Sequence, residues 1–131
     1  MNFSKVELIT LKKTKTDFPY VKIEESADAY KFVRNFYSDN IGIFESSFIL
    51  LFNRSNTTIG YAKISQGGII GTIIDTTIIA KYCVEALAKS GILCHNHSSG
   101  SLIPSMAEKV ITKKIAEVLK FSIVRFLTIS Y

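Results

Sequence analysis

The sequence predicts an α/β domain in which helices flank a mixed β-sheet, and three observations carry that prediction. Residues 48–52 form a continuous apolar run, which is typical of a strand buried on both faces. Two segments with a helical spacing of apolar residues begin near Ser26 and Asp75. Shorter apolar runs follow at 92–95 and 123–129. This alternation of strands and helices in one chain favours a mixed sheet.

The length of 131 residues indicates a single domain. We expect residues 1–24 to form an N-terminal extension, with a strand at 6–11 and a polar loop at 12–20, ahead of a main domain at 25–131. The first helix should begin with Ser26 as its N-cap. The apolar residues behind that cap follow the helical period, at Ala29, Phe32, Val33 and Phe36.

The middle of the chain predicts a β-hairpin followed by a helix. Residues 48–52 and 58–65 are two strands joined by a short polar turn. A loop follows that contains Gly67, Gly68 and Gly71. Asp75 is the expected N-cap of a helix that runs to about Lys89 and closes at Gly91 in a left-handed conformation. The apolar residues of this helix form one stripe: Ile78, Ile79, Tyr82, Cys83, Ala86 and Leu87.

The last third of the chain predicts a strand at 92–95, a helix at 105–121 and a final strand at 123–129. The positions expected to be buried on this helix are Val110, Ile111, Ile115, Val118 and Leu119. Its basic residues have helical spacing, at Lys109, Lys113, Lys114 and Lys120. These lysines form either a solvated helix face or a phosphate-binding stripe. The net charge of +5 permits contact with DNA through that face.

Composition narrows the class of protein further. No apolar run approaches the roughly 20 residues that a membrane span needs, so no membrane partner is expected. The first residues lack the pattern of a signal peptide. Two cysteines, Cys83 and Cys94, are too few for a disulfide framework. We therefore expect buried reduced thiols and a cytoplasmic location, and the sequence predicts no oligomeric state.

Two histidines two residues apart form the most informative motif. His95 and His97 follow the apolar segment 91–93, and side chains alternate between the two faces of a strand. Their imidazoles are therefore expected on one face, with Cys94 and Asn96 on the other. Two imidazoles at the end of a strand are a pair of potential metal ligands. We interpret Cys94, which points away from them, as a core thiol rather than a nucleophile.

The loop after His97 leads to a carboxylate. Asn96 and Ser99 are expected to shape this loop through side-chain bonds to the main chain. Glu108 would lie in the first turn of the predicted helix, and two histidines with one carboxylate leave a fourth position open, as in zinc sites that activate water. A second interpretation stays open, because Ser105 and Glu108 also have the spacing of a capping box, which needs no metal.

The pattern of these residues resembles a known family. His95-x-His97, followed after seven residues by Ser105-x-x-Glu108, resembles the JAMM (MPN) metalloprotease signature. The sequence His-Asn-His-Ser-Ser-Gly at 95–100, followed by Pro-Ser at 104–105 ahead of Glu108, resembles the RadC branch of that family. Upstream segments that are also similar lie at 44–45, 48–54, 64–68 and 71–75.

The resemblance spans roughly residues 25–125 and implies a fold, a cofactor and a reaction. The implied architecture is the JAMM/MPN fold, which is cytidine-deaminase-like, with one bound Zn²⁺ ion. The implied ligands are His95, His97 and Glu108. Glu45 is implied as the general base, and the hydroxyl of Ser105 as a support for the tetrahedral intermediate. The implied reaction is hydrolysis of an amide or isopeptide bond in a protein or peptide, and the family name carries a link to DNA repair.

Departures from the family pattern support a second hypothesis. Glu108 stands where the family has Asp, Ser98 stands where it has Pro, and Thr76-Thr77 replace a Pro-Arg pair. The family's final strand also carries Leu-Asp-His, which is absent from 126–131. The alternative is therefore a catalytically degenerate RadC-like binding module that associates with DNA or protein.

Overall fold

The computed structural model describes residues 5–10, 12–37, 45–66, 76–97, 109–110, 113–114, 116–117 and 124–129. Its elements, in chain order, are α1 (Ser26–Val33), a 3-10 turn (Arg34–Phe36), β1 (Ser46–Phe52), β2 (Thr58–Gln66), α2 (Thr76–Glu85), β3 (Ser90–Asn96) and β4 (Val124–Ile129). The described residues between 109 and 117 are also helical, within the helix predicted at 105–121.

The four strands form one mixed sheet in the order β2-β1-β3-β4. Strand β1 runs antiparallel to both β2 and β3, whereas β4 runs parallel to β3. Leu50, in the middle of β1, lies opposite Tyr61 of β2 and Ile92 of β3. The predicted α/β class with a mixed sheet is therefore confirmed. The predicted strands that form are those at 48–52, 58–65, 92–95 and 123–129.

Strand β1 lies at the centre of the hydrophobic core, and every one of its residues is buried. Leu50 belongs to a cluster that includes Phe32 of α1. Its neighbour Ile49 belongs to a second cluster, with Ile79 and Cys83 of α2. Because successive side chains of a strand point to opposite faces, α1 and α2 cover opposite faces of the sheet.

An aromatic cluster closes the α1 side of the sheet. The ring of Phe36 stacks on Tyr61 with centroids 4.1 Å apart, and it contacts Phe48 at 5.3 Å and Phe32 at 5.7 Å. Phe18 of the N-terminal extension adds an edge contact to Tyr61 at 5.7 Å. Such tilted and offset ring pairs are favourable beyond the area they bury, so they tie the 3-10 turn and the extension to the sheet.

The start of α1 differs by one residue from the prediction. Ser26, the predicted N-cap, is the first helical residue, and Glu25 is the N-cap. The Oδ2 atom of Asp28 accepts hydrogen bonds from the amides of Glu24 and Glu25, at 3.1 and 3.2 Å. A carboxylate at this position also interacts favourably with the helix dipole. Asp28 therefore sets the helix start, which is why the prediction of Ser26 was wrong.

The end of α2 is a left-handed turn at a leucine. The helix ends at Glu85, and Leu87 has a φ of 54°. The Leu87 amide donates to the Val84 carbonyl at 3.1 Å, and the following amide donates to the Cys83 carbonyl at 3.0 Å. These two bonds define a Schellman motif. Of the predicted apolar stripe, Cys83 is buried, whereas Ile78 and Leu87 are exposed.

Gly91, predicted as the left-handed cap of a helix reaching Lys89, lies inside β3 instead. A Cβ atom on Gly91 would lie 3.2 Å from Cδ1 of Ile49 and 3.3 Å from the carbonyl oxygen of Leu50. These distances are tighter than ordinary contacts. Glycine at this position therefore serves the close approach of β3 to β1, and the prediction of a helix cap there was wrong.

The N-terminal extension does not form the strand predicted at 6–11, because residues 5–10 have no regular secondary structure. The apolar side chains of this segment are exposed: Val6, Leu8 and Ile9. The extension meets the hairpin further along, where Lys22 forms an antiparallel bridge with Thr57. A strand forms only where a neighbouring strand pairs with its main chain. The β-propensity of the residues at 6–11 was therefore not a sufficient reason to predict a strand there.

The remaining predictions concern the helix expected at 105–121 and positions that the structure does not describe. Val110, expected to be buried, is 58% exposed, and Lys109, Lys113 and Lys114 are exposed as well. Among the predicted positions that lie outside the described residues are Gly67, Gly68, Gly71, Asp75, Ser99, Ile111, Ile115, Val118, Leu119 and Lys120. Within the described part of the chain, we find no helix with the length and apolar character that a membrane crossing requires.

The two cysteines are core residues on opposite faces of the sheet. Cys83 packs on the α2 side and Cys94 on the α1 side, and both are buried and free. Burial raises the pKa of the Cys83 thiol to about 11. Burial raises the pKa of Cys94 still further above its ordinary value. Because the thiolate is the nucleophilic form, both thiols are held in the inert state.

We expect neither thiol to react with iodoacetamide in the folded protein at pH 8, whereas both should react once the chain is unfolded in denaturant. Mass spectrometry of the alkylated protein measures this directly. Rapid alkylation of Cys94 under native conditions would contradict its assignment as a core thiol.

Replacing Leu87 with glycine is expected to raise the free energy of unfolding by roughly 0.5–1 kcal/mol, since glycine adopts positive φ without steric cost. The leucine side chain is 77% exposed, so its removal loses little packing. Urea unfolding followed by circular dichroism provides the measurement. Leu87→Ala is the matched control, because alanine keeps the steric cost. A glycine variant no more stable than the alanine variant would refute the assignment.

Candidate functional site

The two histidines lie where β3 ends, next to the start of β1. Ser47 of β1 is the register partner of His95, and residues paired across a sheet share a face. Glu45 lies two residues before Ser47, so strand alternation places it on that same face. His97 directly follows β3. The sheet therefore gathers two imidazoles and one carboxylate at one edge, on the face covered by α2.

Glu45 and His95 form the closest pair of this group. Oε2 of Glu45 lies 3.7 Å from Nε2 of His95, and the two side chains are only 13% and 5% exposed. This separation is longer than a direct hydrogen bond. The Nε2 atom itself is buried. A carboxylate is thus placed beside an imidazole nitrogen, close to it but not in hydrogen-bonding contact with it.

The two imidazole rings contact each other, as strand alternation predicts. Their centroids are 5.1 Å apart, with an angle of 75° between the ring planes. His95 is buried and His97 is half-buried. Two imidazoles that bind one zinc ion at about 2.0–2.1 Å, near the tetrahedral angle, place their centroids roughly 5 Å apart. The spacing of this pair therefore fits a shared metal ion.

The other two predicted site residues, Ser105 and Glu108, lie outside the described residues. Their roles as oxyanion support and third metal ligand stay predictions. Among the residues that the structure describes, no group of three or more histidine, cysteine, aspartate or glutamate side chains is arranged to hold a metal. The described part of the site is therefore the pair His95 and His97, with Glu45 beside His95.

The opposite face of β3 carries the side chains of Cys94 and Asn96. Cys94 lies in the core cluster on the α1 side. The Oδ1 atom of Asn96 accepts a hydrogen bond of 2.8 Å from the Ser46 amide, on the other side of the strand from the imidazoles. From the sequence, Asn96 was expected to shape the loop after β3. The bond that the structure shows is to β1, because the alternating position of Asn96 turns its carboxamide toward the buried start of that strand.

Tyr37 is a residue of this region that the sequence analysis missed. Its hydroxyl donates a hydrogen bond of 3.0 Å to the Ser46 carbonyl. Burial raises the pKa of Tyr37 strongly and the neighbouring Cys94 raises it further, while the backbone amide of Asn96 acts in the opposite direction. The hydroxyl therefore stays protonated and is a permanent donor. A lone tyrosine after a helix carries no sequence signal of such a role.

Comparison with known proteins shows the family of this chain. A family model described as the RadC-like JAB domain matches residues 23–129. Among curated proteins, a UPF0758 protein of Flavobacterium johnsoniae is 41% identical over 112 residues, which is 83% of this chain and 48% of that protein. A UPF0758 protein of Porphyromonas gingivalis is 33% identical over 93 residues, covering 71% and 40% of the two chains.

The UPF0758 protein YfjY of Escherichia coli is 31% identical over 85 residues, covering 64% of this chain and 53% of YfjY. The chain thus spans about half the length of the curated relatives it matches. The family match covers β1 to β4 and includes Glu45, His95 and His97. This chain belongs to the RadC-like JAB domain family.

Proposed function

We propose that this chain is a zinc-dependent hydrolase of amide or isopeptide bonds, acting on a protein or peptide. The observation that supports the proposal most directly is the carboxylate of Glu45 next to two adjoining imidazoles, with 3.7 Å between Glu45 and His95. The proposed metal ligands are His95, His97 and Glu108. When bound, zinc would polarise the substrate carbonyl and lower the pKa of water.

The two histidines would bind the metal through neutral ring nitrogens, which are common zinc ligands. Their backbone is part of β3 or adjoins it, and a strand paired on both sides is a rigid support. The spacing of 5.1 Å between the ring centroids needs little adjustment to hold one ion. Rigid placement matters because poorly held sites lose both affinity and rate.

Glu45 would carry the proton. Its carboxylate accepts a proton from the attacking water as the new C–O bond forms, and it then donates that proton to the departing amine nitrogen as the C–N bond breaks. A side chain that is only 13% exposed is partly shielded from bulk water, which favours proton transfer to a reacting group. Its distance from His95 keeps it near the metal ligands but separate from them.

Two further roles rest on the family resemblance. The Ser105 hydroxyl would donate a hydrogen bond to the carbonyl oxygen as negative charge develops there. Glu108 would supply the third ligand, although its spacing from Ser105 also suits a capping box. The cytoplasmic location expected from the sequence stays a prediction.

Zinc content provides the first test. The purified wild-type chain should bind about one zinc ion, as three protein ligands with an open fourth position imply, and the variant His95→Ala/His97→Ala should bind far less. Glu45→Gln is the matched control, because Glu45 adjoins the ligands without being one and its amide preserves the shape. Inductively coupled plasma mass spectrometry measures the stoichiometry. Equal zinc in the wild type and the double-histidine variant would overturn the proposal.

Hydrolysis completes the same experiment. The substrates are quenched-fluorescent peptides and a lysine-isopeptide-linked peptide. We expect the Glu45→Gln variant to hydrolyse them with a kcat lower than that of the wild type by roughly 10²–10⁴-fold, which is the usual contribution of a general base. Zinc binding without any hydrolysis by the wild type would instead indicate the degenerate binding module.

A second candidate function is association with DNA, favoured by the exposure of Lys109, Lys113 and Lys114 on helical backbone. We expect a variant with all three changed to alanine to bind duplex DNA more weakly. The slope of log affinity against log salt should fall by roughly three. The matched control changes three exposed lysines of the extension, Lys12, Lys13 and Lys15. Affinity that is insensitive to salt would contradict this candidate.

A further inference from the structure

The start of β1 is held from the face opposite the imidazoles. The register between β1 and β3 begins with Ser47 opposite His95. One residue earlier, at Ser46, both main-chain polar groups bond to side chains: the amide to Asn96 at 2.8 Å and the carbonyl to Tyr37 at 3.0 Å. Glu45 is the residue immediately before Ser46 in the chain. The residue adjoining the proposed base is therefore held, at its amide and at its carbonyl, by two side chains that do not themselves lie on the face of the imidazoles.

The bond from Asn96 is a strong constraint because of where it lies. Asn96 and Cys94 are fully buried, and Ser46 is buried as well. A buried amide that loses its partner carries the full cost of its desolvation. Moving the main chain at Ser46 would break the buried hydrogen bond from its amide and the partly buried one to its carbonyl, so the position of this residue is tightly determined.

Tyr37 holds the same residue, Ser46, at its carbonyl. Its ring packs edge-on against Phe48, with centroids 5.2 Å apart, which fixes the direction of the hydroxyl. Burial raises the pKa of this phenol, so the group remains a hydrogen-bond donor across the physiological range. Tyr37 therefore acts as a fixed donor supported by the core.

We propose that Asn96 and Tyr37 are positioning residues that clamp the main chain at Ser46 and thereby set the Glu45 carboxylate at its distance from His95. This inference rests on the proposed role of Glu45 as the proton carrier. It explains why an asparagine stands between the two histidines: the strand that presents the imidazoles on one face presents the clamp on the other. A shift of about 1 Å in a reacting group can cost about 10²-fold in rate, so control of the main chain at this one residue has consequences for the chemistry.

Two variants test the clamp. Asn96→Ala removes the bond to the Ser46 amide, and Tyr37→Phe removes only the hydroxyl while keeping the ring that packs on Phe48. Tyr37→Phe keeps the test available where Asn96→Ala is too unstable to study. Cys94→Ala is the matched control, because it trims a buried side chain of the same strand face whose thiol donates to the Ile92 carbonyl and not to Ser46.

The first readout is structural and independent of activity. Nuclear Overhauser contacts between the His95 ring and the Glu45 side chain are measured on the full chain, as purified and after dialysis against a chelator. We expect these contacts to weaken or vanish in Asn96→Ala and Tyr37→Phe and to persist in Cys94→Ala. Contacts of wild-type intensity in both clamp variants would overturn the inference.

The second readout separates positioning from general stability. Tyr37→Phe and Asn96→Ala should lower kcat by roughly 10–100-fold, with KM and zinc stoichiometry close to those of the wild type. A wild-type kcat in both variants overturns the clamp even where the zinc hydrolase proposal holds. A wild type without zinc and without hydrolysis defeats the proposed function, and the contacts of the first readout then decide the clamp alone.

Discussion

The antiparallel pairing of β1 with β3 is the interaction on which the rest of the structure depends. β1 is buried along its whole length, and Gly91 lets the two strands approach closely at one end of the pair. At the other end the same ladder sets Ser47 opposite His95. Glu45 and His95 are fifty positions apart in the chain, so it is this register that brings them together.

Successive side chains of β3 point to opposite faces of the sheet, and the two faces carry different kinds of residue. Leu93 packs with α2, and His95 and His97 follow on the same face. Cys94 packs on the α1 side, and Asn96 follows it there. One face therefore carries candidate chemistry and the other carries core packing and hydrogen bonds. A one-residue slip in register would exchange the two sets, so the hydrophobic pattern that fixes the fold also fixes the orientation of the site.

The membership of the family and the arrangement of the described site rest on different observations. The family match follows from sequence similarity across residues 23–129. The adjacency of the imidazoles and the carboxylate follows from strand pairing. The matched segments cover 48% and 40% of two UPF0758 relatives, so the activity of a complete protein of this family is a separate question from the geometry of this domain.

Strands β1 to β4, helices α1 and α2 and the shared face of the histidines could be read from the sequence, because these depend on local periodicity: apolar runs, helical spacing and alternation. The sequence misled at 6–11, at Ser26 and at Gly91. Residues 5–10 pair with no strand in the described part of the chain, a carboxylate at Asp28 sets the start of α1, and a left-handed Leu87 ends α2. The meeting of Tyr37 and Asn96 at Ser46 and the distance from Glu45 to His95 emerged from the folded chain alone. Contacts between residues distant in sequence depend on register and packing of the whole sheet, and no local pattern encodes them.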